Sequence, residues 1–176
     1  AVQKAVAHLL DQGFQEFLYV TEPVAGVSTR LERATCFKAQ IAAQDQGVGG
    51  GVFEAHDKQP AALAEALREL RHRAGARPAA VLCSNAVTTL RVATAVAQLG
   101  WQLGLDLGLV GFDETEWAPL VGPGLTTIAQ PTDDLGRVAA SCLLERLQGR
   151  QLPPRQILLP GRLILRASSQ RPSSRS

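Results

Sequence analysis

Methionine, paired cysteines and long apolar runs are all missing from this sequence of 176 residues. Without a methionine, Ala1 is not a translational start, so we expect a processed, truncated or cut chain. The three cysteines form no CxxC pair, which argues against a zinc or redox motif. Free cysteines in apolar surroundings favour a reducing compartment, and hence a cytoplasmic location. No apolar run approaches the roughly 20 residues that cross a bilayer, so the sequence predicts a soluble protein without a membrane partner.

The sequence also lacks the motifs of common catalytic sites. It contains no GxSxG, HExxH, Walker or GxGxxG pattern in the required context. The glycines at 47–51 precede a predicted strand instead of opening a helix, which disfavours a phosphate-binding loop. His8, His56 and His72 share no metal-ligand spacing. We therefore predict no catalytic residues, no metal and no cofactor. A small α/β enzyme remains an open alternative, with Asp113 as a base and Arg33 as an anion clamp.

The composition is that of an ordinary folded domain. Hydrophobic residues make up 45% and charged residues 19%, and the length suits one domain with a sizeable core. The net charge of +2 gives no reason to expect a nucleic-acid or membrane surface on the chain itself.

Apolar patterning predicts strands and helices in alternation, which is typical of an α/β fold with a parallel sheet flanked by helices. A helix over 30–44 is expected to be capped by Ser28 or Thr29. Residues 168–176, rich in serine and arginine, are expected to form a frayed, flexible tail. The predicted helices are 1–12, 30–44, 60–74, 86–99 and 132–149, and the predicted strands are 17–20, 51–53, 79–83, 107–112 and 125–128, with extended pieces at 156–159 and 162–165.

Polar and aromatic residues lie in or just after the predicted strands. Ligands of open parallel sheets bind outside the carboxyl ends of the strands, so these residues form a candidate site for a small polyhydroxylated anion. Alternative roles stay open at this point: the arginines as surface ion pairs, Asp113 as a turn cap and Trp117 as a core residue. The candidates are Ser28, Thr29, Arg30, Arg33, Phe53, Glu54, Ser84, Asn85, Asp113 and Trp117.

Several segments, in order along nearly the whole chain, carry a resemblance to a known family. They include Val110-Gly111-Phe112-Asp113, the stretch LTTIAQP at 125–131 and the ending LPGRLILRASS at 159–169. RATCF at 33–37 and LCSN at 82–85 match two further motifs. As a set, these segments resemble the LacI/GalR family of bacterial transcriptional repressors. The stretch DETEWAPLVGPGLTTIAQPT is most similar to the sugar-acid branch, whose regulators respond to ketogluconate-type compounds.

The resemblance implies a periplasmic-binding-protein-like fold, in which a small effector binds between two α/β subdomains. By position, Arg33, Phe53, Asn85 and Asp113 match effector-contacting residues of the family, and Thr29 and Trp117 lie next to such positions. The sequence departs from the family pattern in two places. Ala86 replaces a common acidic residue, which would alter the hydrogen bonds to the effector. Cys36 replaces a glycine, which would alter helix packing.

The resemblance also implies a division of the chain. Residues 1–131 and 150–167 correspond to the second effector-binding subdomain, and 132–149 to a helix that normally returns to the first subdomain. We expect the apolar stripe of that helix to dock on a neighbouring chain or on a redirected face of this one. The implied function is the effector-binding region of a LacI-type repressor that binds a sugar or sugar acid as a homodimer. Operator DNA would be bound through an absent N-terminal domain.

The alternative is a solute-binding protein of a sugar transport system with the same fold. It is disfavoured because no signal peptide is evident and the cysteines look unpaired.

Overall fold

Five parallel strands and one antiparallel strand form a single sheet in the order β2-β1-β3-β4-β5-β6. The computed structural model describes residues 1–56, 60–150 and 153–171. The strands are β1 (Glu16–Thr21), β2 (Gly49–Glu54), β3 (Ala79–Cys83), β4 (Gly108–Phe112), β5 (Thr126–Ala129) and β6 (Arg162–Ile164). The helices are α1 (Val2–Asp11), α2 (Ser28–Ala42), α3 (Pro60–Ala74), α4 (Ala86–Gln98) and α5 (Thr132–Leu147), with short 3-10 turns at Ala118–Leu120 and Ala167–Ser169. The predicted α/β class is confirmed.

Helices cover both faces of the sheet because the central strands are apolar on both sides. In β1, Phe17 and Tyr19 belong to one buried cluster, whereas Leu18 and Val20 belong to the other. This alternation follows from the two-residue period of a strand. Helices α1 and α2 pack on the first face, and α3 and α4 on the second. Both faces are thereby closed to water, and polar chemistry is confined to the edges of the sheet.

The edge strand β2 is longer than predicted, because its glycines serve as packing positions. A Cβ atom at Gly49 would lie 2.5 Å from the carboxylate of Glu16, and one at Gly50 would lie 3.1 Å from Ile41. Glu16 is buried at the beginning of β1, in register with Gly49, and accepts hydrogen bonds from Arg73 at 3.3 Å and Arg77 at 2.9 Å. The glycines therefore leave room for a buried ion pair and for α2.

The start of α2 differs from the prediction. Neither Ser28 nor Thr29 caps the helix, because the helix already begins at Ser28 and its N-cap is Val27, which makes no side-chain cap bond. Val27 donates its backbone N–H to the carbonyl of Val24, so a tight turn leads into the helix. Arg30 reaches back to donate to the carbonyl of Pro23 at 3.1 Å. The loop after β1 is thus held by backbone and arginine contacts.

The last third of the chain leaves the sheet and returns to it. α5 follows β5, and β6 then pairs antiparallel with β5, so that Ala129 lies opposite Arg162. None of the residues of α5 is buried, and its four leucines are exposed. Docking of α5 on another face of this chain is therefore not observed, and docking on a neighbouring chain stays a prediction. The predicted extended piece at 156–159 is not a strand.

The expectation of a frayed tail from residue 168 onward is wrong at its first two residues. Ser168 and Ser169 are fully buried and hydrogen-bonded to the sheet. Their hydroxyl groups reach strands far away in sequence, which a local reading of composition does not detect. Residues 172–176 of the expected tail lie outside the described residues. Within the described part of the chain, no helix is both long enough and apolar enough to span a bilayer.

Candidate functional site

The carboxyl ends of the parallel strands bring a set of polar side chains to one edge of the sheet. Glu22 follows β1, Asn85 follows β3 by two residues, Asp113 follows β4 and Gln130 follows β5. Arg33 joins them from the second turn of α2. Hydrogen bonds join Arg33, Gln130 and Asp113 into one group and Glu22 and Asn85 into a second. The two groups meet at the backbone on either side of Asn85, where Arg33 binds the carbonyl of Ser84 and Asp113 binds the N–H of Ala86, and we call the whole set the edge network.

Arg33 is the central cation of the edge network. Its Nη1 donates to the backbone carbonyl of Ser84 at 2.6 Å, and its Nη2 donates to Oε1 of Gln130 at 3.2 Å. The guanidinium lies 3.9 Å above the ring centroid of Phe112, a cation–π arrangement that fixes the plane of the group. Arg33 is therefore held in one orientation while part of its donor capacity remains unused.

Asp113 is the central anion, and its backbone is unusual. Its φ of 71° lies in the left-handed region, which a non-glycine residue adopts at a cost. This conformation directs the carboxylate toward the beginning of α4, where Oδ2 accepts the backbone N–H of Ala86 at 3.2 Å. Oδ1 accepts a hydrogen bond from the amide of Gln130. The helix N-terminus favours the negative charge at this position.

Asn85 performs two structural tasks within the network. Its Oδ1 accepts the backbone N–H of Thr88 at 2.9 Å, and the hydroxyl of Thr88 accepts the backbone N–H of Asn85 at 3.2 Å, which completes a capping box. Its Nδ2 donates to Oε2 of Glu22 at 2.6 Å. The same oxygen of Glu22 accepts from Arg30 at 2.6 Å. Asn85 therefore fixes the beginning of α4 relative to the end of β1.

The six predicted site residues fall into two groups. Arg33, Asn85 and Asp113 belong to the edge network. Phe53 and Trp117 are half-buried and pack against the core cluster on the α3 and α4 face. Thr29 is exposed in the first turn of α2. In the part of the chain that the structure describes, no side-chain hydrogen bond of these last three residues reaches the network.

Glu22 and Gln130 belong to the site although the sequence analysis did not select them. Both directly follow a strand, so the rule used for the other candidates would have found them if it had been applied to every strand. Together, Arg30 and Arg33 balance the charges of Glu22 and Asp113. Across the described residues, no group of three histidine, cysteine, aspartate or glutamate side chains is placed to hold a metal ion.

The sequence of the chain matches the profile of one known family over nearly its whole length. The profile of the periplasmic binding protein-like domain matches residues 6–169. The chain belongs to this family. The predicted periplasmic-binding-protein-like fold is therefore confirmed.

Individual relatives are named as transcriptional regulators. The chain is 43% identical over 169 residues to the HTH-type transcriptional regulator PtxS of Pseudomonas plecoglossicida, covering 96% of this chain and 48% of that protein. It is 33% identical over 157 residues to the HTH-type transcriptional regulator KdgR of Bacillus subtilis (strain 168), covering 89% and 46%. The chain thus spans about half the length of the curated relatives that it matches.

A solved structure of the lac repressor dimer, bound to operator and the anti-inducer ONPF, superposes on this chain with a TM-score of 0.78. The two are 26% identical, and the match covers 96% of this chain and 50% of the repressor chain. The predicted resemblance to LacI/GalR regulators is confirmed by this likeness.

Proposed function

We propose that these residues form one α/β subdomain of the effector-binding region of a LacI-type transcriptional regulator. The effector is a small sugar acid, and the regulator acts in the cytoplasm without catalysing a reaction. Operator DNA is bound as a homodimer through a domain outside these 176 residues. The observation that carries the proposal is the edge network, in which Arg33 and Asp113 lie at the carboxyl edge of the sheet and are joined through one side chain.

The chemistry of the edge network suits a sugar acid. A guanidinium binds a carboxylate through charge-assisted hydrogen bonds, and Arg33 is already oriented by Phe112 and by the carbonyl of Ser84. The carboxylate of Asp113 accepts hydrogen bonds from hydroxyl groups. Phe53 and Trp117 offer half-buried aromatic faces, and Thr29 offers an exposed hydroxyl; we assign these three to the rim of the site.

The chain leaves the sheet after β5 to form α5 and returns to it as β6, and this path supports the presence of a second half of the site. We propose that α5 and the residues around it belong to a first subdomain, so that the effector lies between two bodies. Binding between two bodies favours their closed arrangement, which is how occupancy would reach a DNA-binding domain. Two exposed apolar side chains three residues apart on α4, Val87 and Leu90, support a homodimer through that face of the helix.

A thermal-shift screen tests the ligand class. The panel contains sugar acids such as D-gluconate, sugar phosphates and neutral sugars, each at high concentration, because stabilisation grows with ligand concentration relative to the dissociation constant. We expect a sugar acid to raise the Tm of the chain. Arg33→Ala and Asp113→Ala should abolish that rise, whereas the matched controls Arg137→Ala and Asp133→Ala, both exposed on α5, should retain it.

Two outcomes would contradict the proposal. Equal stabilisation of all five proteins would place the ligand away from the edge network. Stabilisation by neutral sugars alone, retained in Arg33→Ala, would show that the ligand class is wrong.

A further inference from the structure

Gln130 stands between the two charged groups of the proposed site. Its carbonyl oxygen accepts from Arg33 at 3.2 Å, and its amide nitrogen donates to the carboxylate of Asp113. The chemistry of the partners fixes this orientation, because a guanidinium only donates and a carboxylate only accepts. The half-buried amide therefore satisfies both groups at once.

We propose that the Gln130 amide is an internal stand-in for the effector, which must displace it to bind. This inference rests on the proposed function. A carboxamide presents an acceptor and a donor on two atoms bonded to the same carbon, and thus close together in space. The molecule that replaces it must present the same pair, an oxygen acceptor for Arg33 and a neighbouring donor for Asp113. A carboxylate with a hydroxyl group on the adjacent carbon offers such a pair, so the ligand class is the α-hydroxy acids, including the aldonic acids and those ketogluconates that keep the hydroxyl next to the carboxylate.

There is space beside the amide for such a molecule. Gln130 and Arg33 line a cleft of about 400 Å³ that extends past Ile128 and Pro131 to the segment before β6, whereas Asp113, which accepts from the Gln130 amide, is not among the residues that line it. This volume lies within the range of small-molecule sites. The amide therefore stands at the wall of an open cleft, from which an entering ligand reaches it directly.

Displacement has a consequence for the chain that follows. Gln130 is separated from α5 by Pro131 alone, and none of the residues of α5 is buried. The two side-chain bonds of Gln130 thus add to the pairing of Ala129 with Arg162 in fixing the point at which the chain leaves the sheet for α5. A ligand that takes these bonds frees this point, so occupancy of the site is coupled to the position of α5. The Gln130 amide thus has two roles: it competes with the effector and lowers its affinity for the site, and its displacement transmits binding to α5.

Titration calorimetry with D-gluconate distinguishes a competitor from a ligand contact. Gln130→Ala removes the competing amide, so we expect the Kd for D-gluconate to fall about tenfold, equivalent to about 1.4 kcal/mol. The control is Gln148→Ala, an identical change at an exposed glutamine just beyond the other end of α5, which should leave the Kd unchanged. A Kd that rises in Gln130→Ala would show that Gln130 binds the ligand, and an unchanged Kd would show that it plays no part. Either result overturns the inference.

A second probe tests the ligand pattern. 2-Deoxy-D-gluconate keeps the carboxylate but lacks the neighbouring hydroxyl, so we expect it to bind the unaltered chain at least tenfold more weakly than D-gluconate. Equal affinities would overturn the proposed acceptor–donor pair.

Hydrogen exchange tests the coupling to α5. We expect D-gluconate to accelerate exchange in the first turn of α5 in the unaltered chain, and Gln130→Ala to exchange at the faster rate without ligand. Unchanged exchange in both comparisons would overturn the coupling. If D-gluconate binds neither the unaltered chain nor Gln130→Ala and the sugar-acid panel also fails, the proposed function falls together with this inference. Binding with the wrong response to Gln130→Ala defeats the inference alone.

Discussion

Replacement of Ser168 by alanine should destabilise the fold strongly, although the residue lies only eight positions before the last residue of the sequence. The hydroxyl of Ser168 accepts the backbone N–H of Thr126 at 2.8 Å and donates to the carbonyl of Leu109 at 2.7 Å. All three residues are fully buried, so water cannot replace the lost partner. An unsatisfied buried group costs about 1–3 kcal/mol, and the N–H has fewer alternatives than the carbonyl with its two lone pairs. We expect Ser168→Ala to lower the free energy of unfolding by about 2–4 kcal/mol.

Urea denaturation followed by tryptophan fluorescence measures this change, because Trp101 and Trp117 both pack against the core. The control is Ser141→Ala, the same substitution at an exposed position of α5, which should change stability by less than about 0.5 kcal/mol. If Ser168→Ala behaved like this control, the argument from buried hydrogen bonds would be wrong and the segment would indeed be frayed.

Three further predictions concern titratable groups. Burial lowers the pKa of His8, so the unfolded chain binds a proton on this side chain more readily than the folded chain does. The free energy of unfolding should therefore fall as the pH drops through about 6.5. This fall, measured as the pH dependence of the urea midpoint, should disappear in His8→Gln and persist in His72→Gln. Burial raises the pKa of the Cys83 thiol to about 12, so Cys83→Ser should leave the number of thiols that react with Ellman's reagent in the native protein unchanged, and a loss of one thiol would contradict this. Glu16→Gln should lower the free energy of unfolding, measured by urea denaturation, by roughly 1–2 kcal/mol. This is less than for a fully buried ion pair, because both partner arginines are more than one-third exposed. The surface control Glu65→Gln should lower it by under about 0.5 kcal/mol, and equal effects of the two substitutions would refute the burial argument.

Periodicity predicted the elements well where burial is governed by neighbours along the chain. The helix over 60–74 and the strand over 79–83 have the predicted bounds, because their apolar residues recur at the period of a helix or fill a buried strand. β2 was predicted too short because glycine carries no such signal. The reason for glycine at positions 49 and 50 lies in Glu16, Phe37 and Ile41, which are distant in sequence.

Patterns of neighbouring residues were likewise insufficient to predict the whole candidate site. Arg33, Asn85 and Asp113 were selected by position and by resemblance, and the structure brings them into one network. The role of Gln130 depends on contacts with residues 97 and 17 positions away, which no local pattern reveals. The two readings of Trp117, as a core residue or a ligand contact, were left open by the sequence, and its packing against the core favours the first. Its part at the rim of the site remains a prediction.

The antiparallel pairing of Ala129 with Arg162 gives the excursion between them the topology of a very long hairpin loop. The entropy of closing a loop grows only with the logarithm of its length, about 0.6 kcal/mol for each doubling. The stability of the sheet therefore depends only weakly on the length of chain inserted between these two residues, provided that β6 and the 3-10 turn at Ala167–Ser169 stay in place. Such a sheet can hold an entire second folded body on two strands, which makes this junction a natural position for domain insertion and for engineering the distance between the two bodies.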